Sequence, residues 1–143
     1  MKRFLNYAIY LILLLALGLI LTVIYWEVYP FKTIVFTDNP QRVLNANHQV
    51  ASGGHLSYEV NFCKYTNIIP SISRSFADGI LYTIPETLAV AKPTGCHTQV
   101  VDVYVPRALL PGSYTLKTTY RYKINPIRTI DVSTTTESFM VIK

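Results

Sequence analysis

From Tyr7 to Trp26 the chain reads YAIYLILLLALGLILTVIYW, without a charge, a proline or a side-chain amide. Twenty residues at helical rise span about 30 Å, the thickness of a bilayer's hydrocarbon core. Twelve of them are Leu, Ile or Val, and at a helix centre these favour membrane insertion by about 4–7 kcal/mol in total. A helix packed on a soluble core keeps a polar stripe, whereas this one is apolar on every face. The run therefore predicts one transmembrane helix over residues 7–26. It divides the chain into a cytoplasmic N-terminus (1–6), the span, a tether (27–30) and an ectodomain (31–143).

The flanks set the expected orientation. Lys2 and Arg3 precede the run, while Glu27 and a single Lys32 follow it. The positive-inside bias then places the N-terminus in the cytoplasm and the C-terminal domain on the periplasmic or extracellular side, or the equivalent side of a virion membrane. Tyr7 and Tyr10 at one end, with Tyr25, Trp26 and Tyr29 at the other, suit the two interfacial belts. Ala16-Leu17-Gly18 has the small-x-small form of a signal-peptidase site. Cleavage there would leave eight further residues, nearly all apolar or aromatic, at the new terminus, and the run is long for a signal, so an uncleaved signal-anchor is expected. Gly18 and Thr22, four apart, would let two such helices approach closely as a homodimer.

The 113 residues after Pro30 suffice for one domain with a core. Their pattern is that of strands. Leu56, Tyr58, Val60 and Phe62 alternate with Ser57, Glu59 and Asn61. Tyr114, Leu116, Thr118, Tyr120, Tyr122 and Ile124 share one parity against Thr115, Lys117, Thr119, Arg121, Lys123 and Asn125. Asp78-Gly79 between Ile72–Phe76 and Ile80–Ile84 reads as a tight hairpin turn, with Arg74 interrupting the apolar face. Phe31–Thr37 predicts a first strand, Gln41–Val50 an edge strand or irregular crossing, and Pro85–Thr98 a long connection with a short edge strand at Leu88–Val90. Gln99–Val105, apolar on both faces, predicts a strand in the middle of the sandwich. Ile127–Val132, a bulge in Ser133–Thr136, and a last strand through Phe139 and Val141 complete the chain. Seven or eight strands with no helical periodicity beyond the anchor imply an all-β antiparallel sandwich.

The words Leu109-Leu110-Pro111-Gly112-Ser113-Tyr114-Thr115-Leu116 resemble the L-x-P-G-x-Y-x-L approach to the penultimate strand of fibronectin type III and other immunoglobulin-like domains. The resemblance implies an immunoglobulin-like fold with Pro111 and Gly112 at a structural corner and Tyr114 as the corner tyrosine. Cys63-Lys64-Tyr65, Gly95-Cys96, Leu110–Tyr114 and Asn125-Pro126-Ile127-Arg128 are similar to words in small membrane-anchored proteins of unassigned role from tailed-phage and prophage genomes, a resemblance that implies an origin more than an activity.

Cys63 and Cys96 are the two cysteines, and on the far side of a membrane a disulfide is the expected state, with two buried thiols as the alternative. It would staple the long connection to the end of the Leu56–Tyr65 strand. Adjacent residues of an extended segment point apart, so Cys96 and His97 make a poor nucleophile–base pair. His48 and His55 offer no metal-binding spacing with them. Asp102, flanked by Val101 and Val103, is expected to pair with a cross-strand cation. No phosphate loop, nucleophile elbow or metal helix occurs, so no catalytic residue, metal or cofactor is expected.

Basic residues are scattered rather than clustered, unlike a nucleic-acid binder, and no nucleic-acid partner is expected. Lys117, Arg121 and Lys123, with Arg128 beyond the turn, form one cationic stripe. It reads either as a surface for an anionic envelope polymer, lipid or acidic protein, or as a solvated face shielded from edge aggregation. The expected function is non-enzymatic: a single-pass membrane protein displaying an immunoglobulin-like binding or assembly module, with the lipid bilayer and another envelope or virion protein as partners. Two rivals are an envelope enzyme using His97, Asp102 and Arg128, and a lysis-related membrane protein.

Overall fold

The computed structural model describes residues 2–77 and 81–143. The Asp78-Gly79 turn falls outside them, but the strands that it joins pair antiparallel from Ala77 opposite Leu81.

Helix α1 runs from Lys2 to Val28, longer at both ends than the apolar run that predicts it. Within Asn6–Val28 the most apolar 18-residue stretch has a mean hydropathy of 2.7, and none of it is buried against the rest of the chain. Glu27 and Val28 are helical, so Tyr29 and Pro30 alone lead out of α1 toward Phe31.

The rest is two packed sheets. The first contains β1 (Ile34–Phe36), β2 (Arg42–Val43), β4 (His55–Lys64) and β7 (Gly95–Tyr104), with β4 in the middle. The second contains β3 (Gln49–Ala51), β5 (Ser71–Ala77), β6 (Leu81–Leu88), β8 (Gly112–Lys123), β9 (Thr129–Thr135) and β10 (Phe139–Ile142). Strand β8 is flanked by β5 on one edge and by β9 and β10 on the other. Because β1 with β2, and β9 with β10, are each one interrupted strand, the ten segments among the described residues form eight strands. A three-stranded sheet thus faces a five-stranded one across a shared core, an immunoglobulin-like sandwich.

The alternations place the core where they predict it. Leu56, Tyr58 and Val60 of β4 meet Phe76 of β5, Leu116 of β8, and Phe139 and Val141 of β10, all buried. Each such side chain contributes about 1.5–3 kcal/mol relative to exposure. The bulge lies slightly later than Ser133–Thr136: β9 continues to Thr135 opposite Lys117, and pairing resumes one residue out of step with Phe139 opposite Tyr114.

Three expectations are corrected. Pro85–Thr98 is not a long connection, since β6 continues through Pro85 to Leu88 and β7 begins at Gly95; Pro85 is tolerated because β6 is an edge strand. Strand β7 is likewise an edge and not a middle strand, and its outward Val100 and Tyr104 are exposed. Asp102 shares that exposed face and accepts a hydrogen bond from the Ser57 hydroxyl directly across, with no cation within ion-pair distance among the described residues.

The sandwich is stitched along one side only. Gln41 is wholly buried beyond the cis Asn39-Pro40 bond, and its main chain pairs with Thr135 and Glu137 at 2.7 and 2.8 Å. The chain thereby passes from the first sheet to the second, where β3 runs parallel to β10. On the opposite side β6 and β7 do not pair, and residues 89–94 cross the gap between them.

Candidate functional site

Two regions differ from a plain sandwich: the seat of the domain on the helix, and the interior beside its unstitched edge.

The seat is built by the turn between β8 and β9. The Asn125 side-chain oxygen accepts from the backbone N–H groups of Ile127 and Arg128 at 3.1 and 2.8 Å, which fixes the turn. Its amide then donates to the Trp26 carbonyl at 3.2 Å, one of the acceptors that a helix C-terminus leaves open. The Arg128 guanidinium donates to the Tyr29 carbonyl at 2.5 Å. Tyr25, Trp26 and Phe31 close around the same turn. Arg128 thus leaves the cationic stripe in which sequence reasoning places it and becomes part of the helix seat, a role no spacing rule announces.

The stripe itself is diluted. Arg121 forms a two-pronged pair with Asp131 opposite, both bonds 3.1 Å. That pairing holds the Asp131 carboxyl below its ordinary pKa and raises that of the Arg121 guanidinium. Lys117 and Lys123 remain exposed on this face, without an acidic partner within ion-pair distance among the described residues.

Cys63 and Cys96 are bonded, and they are direct cross-strand partners in the β4–β7 ladder, with Cα atoms 3.9 Å apart. The bridge therefore joins two strands of one sheet on its outer face and does not tie a loop to a strand end. The reason is that β7 starts at Gly95. The corner is formed as its motif implies: the buried Tyr114 donates its hydroxyl to the Leu110 carbonyl at 2.9 Å. Gly112 packs under the ring, where an added Cβ would lie 3.4 Å from it.

His97, Asp102 and Arg128 are not brought together. His97 and Asp102, five apart on β7, point to opposite faces and stand about 17 Å apart along the strand. His97 donates to the Pro93 carbonyl at 3.1 Å and packs on Phe62, and Arg128 is engaged at the helix.

The interior feature is a cavity of about 130 Å³ between the sheets at their unstitched edge. Ile72, Val101, Tyr120 and Tyr122 supply apolar wall, and Leu88 and Val90 flank the opening. Burial pushes Tyr122 up to about 12 and raises Tyr120 further. Into this space the sequence also places Lys64 and Arg74. Lys64 is only 5% exposed, and one of its ammonium hydrogens goes to the Lys92 carbonyl at 2.9 Å. Arg74 reaches the Thr87 hydroxyl at 3.4 Å, while its Nε is buried without a partner. Both cations follow the inward parity of their strands, so the signal was present: Lys64 continues Leu56, Tyr58, Val60, Phe62, and Arg74 interrupts Ile72 and Phe76.

No protein-family model matches the chain, and no curated protein matches it. Among solved structures the chain is similar to the CARDB domain of the PF1109 protein from Pyrococcus furiosus, determined in complex with di-metal ions. Identity is 14% over 79% of this chain and 95% of that one, with a TM-score of 0.38. It is also similar to a Niemann-Pick type C2 protein from the Japanese carpenter ant, at 9% identity over 78% and 100% of the two chains and a TM-score of 0.43. Both likenesses are of fold. The class is an immunoglobulin-like β-sandwich behind one N-terminal apolar helix.

Proposed function

We propose that the protein is a single-pass membrane protein that presents an immunoglobulin-like binding module at the outer face of a bilayer. The observation that supports it most is the seat: Asn125 donates to the Trp26 carbonyl in the last turn of the apolar helix, and Arg128 to the Tyr29 carbonyl just beyond it. A sandwich fixed there works within a short distance of the membrane surface rather than at the end of a long stalk. Its free Lys117 and Lys123 face then meets acidic components of the envelope, a role fitting an envelope, virion or superinfection-exclusion protein of the phage type that the sequence resembles.

The test has two parts. A C-terminal alkaline phosphatase fusion should be active and a C-terminal green fluorescent fusion dark, as required by an N-in, C-out span. A photo-crosslinking amino acid at Lys123 should then capture an envelope component of discrete mass from expressing cells. Reversed fusion activities, or no discrete adduct from membranes, would overturn the proposal.

A further inference from the structure

The cavity between the sheets plays no part in the envelope-binding reading, and its chemistry stands whether or not that reading holds. We infer that this cavity binds a single-chain anionic amphiphile, its carboxylate or phosphate head held by Lys64 and Arg74 and its alkyl chain lying on the apolar wall.

Charge carries the argument first. Lys64 has two ammonium hydrogens beyond the one given to Lys92, and Arg74 has a buried Nε with no acceptor. Among the described residues neither has a carboxylate within ion-pair distance. A buried cation without a counter-ion is a costly thing for a fold to retain. One anion between the two would satisfy both by charge-assisted hydrogen bonds.

Shape narrows the class. A space of about 130 Å³ resembles cavities of about 150 Å³ that hold a benzene ring. It takes a small head and the first few carbons of a chain, and not a folded peptide or a nucleotide. The opening is apolar as well: Leu88 and Val90 are each 77% exposed beside it. They are of little use to a free inorganic anion, but suit an alkyl chain running outward. The cavity is lined by the start of β1, the end of β4 and the end of β8. These are the strand ends nearest the helix, so the opening lies in the half of the sandwich next to α1.

The same chemistry is offered by a free acyl anion in solution and by one embedded in a neighbouring bilayer. The full chain, in nanodiscs of zwitterionic phosphatidylcholine, would be titrated with octanoate, octan-1-ol and octyltrimethylammonium, followed by amide shifts of Val101 and Tyr122. Octanoate should bind saturably, octanol at least about tenfold more weakly, and the cation not at all. Lys64→Met and Arg74→Met should each weaken octanoate about tenfold or more and leave octanol unchanged, with Arg74→Lys keeping part of the affinity. If Lys64→Met fails to fold, Arg74→Met at the cavity's open edge carries the comparison. Octanol binding as tightly as octanoate, or octanoate affinity untouched in the folded variants, would overturn the inference. Oleate doped into the nanodisc competes with octanoate if the bilayer is the source, and leaves its isotherm unchanged if the ligand comes from solution.

Discussion

Replacing both Cys63 and Cys96 with alanine tests how the sandwich keeps its unstitched edge in place. The bridge has a sequence separation of 33, and the chain it encloses leaves the first sheet after β4, forms β5 and β6 in the second, and returns as β7. Releasing a loop of that length restores about 4 kcal/mol of chain entropy to the unfolded state. The native state loses little besides, because Cys63 is only partly buried and Cys96 is exposed on the outer face of the sheet. Domains of this size are stable by about 5–15 kcal/mol, so a large share is at stake. Urea melts of the full chain in a mild detergent, read by circular dichroism, would compare the oxidised protein, the same protein in reductant, and the double variant. The last two should coincide, with lower midpoints and a slightly steeper denaturant dependence, since the freed chain exposes more surface when unfolded. A loss below about 1 kcal/mol would refute the reasoning and show that the β4–β7 ladder closes this excursion unaided.

Tyr114→Phe keeps the buried ring and removes the hydroxyl that bonds the Leu110 carbonyl; it should cost about 1 kcal/mol or more, read as a lowered urea midpoint, and an unchanged midpoint would deny that hydroxyl a role in the corner. Alkali should destabilise the domain in a defined window. An unfolded tyrosine ionises near pH 10, whereas burial holds Tyr122 protonated up to about 12. Stability is therefore full below about pH 10 and falls above it, as the unfolded chain releases protons that the native state keeps; a midpoint flat to about pH 11 would contradict this.

Strand existence was legible in the sequence wherever one face is wet. On β4 and β8 the parity of Leu56–Phe62 and Tyr114–Tyr122 marks both the strand and its buried face, because each lies in a sheet with solvent on its outer side. Reading failed where that link breaks. Val100, Val101 and Val103 look like a strand buried on both faces, yet β7 is an edge whose outer residues are exposed, and composition cannot tell which neighbour a strand lacks. Gly95 and Pro93 look like loop residues, although the antiparallel register with β4 extends the strand back to Gly95, a long-range effect that local propensity does not carry. Arg128 shows the same limit for function: its spacing puts it in a cationic row, and only the turn geometry of Asn125 brings it under the helix.

The two interior cations make sense only together with the edge they lie beside. A sandwich closed on both sides, as this one is at Gln41, excludes water from its interior and could not retain Lys64 and Arg74 at a tolerable cost. On the other side β6 and β7 stay unpaired, residues 89–94 cross the gap, and the disulfide joins β4 to the start of β7 one residue from Lys64. The bridge thus fixes the wall that carries Lys64 while the opposite wall, with Arg74, belongs to the other sheet. Opening the edge would separate the two cations, and an anion between them would draw the sheets together. Binding at the inferred site would therefore be coupled to closure of that edge, while the disulfide, joining two strands of one sheet, holds the wall that carries Lys64 in register.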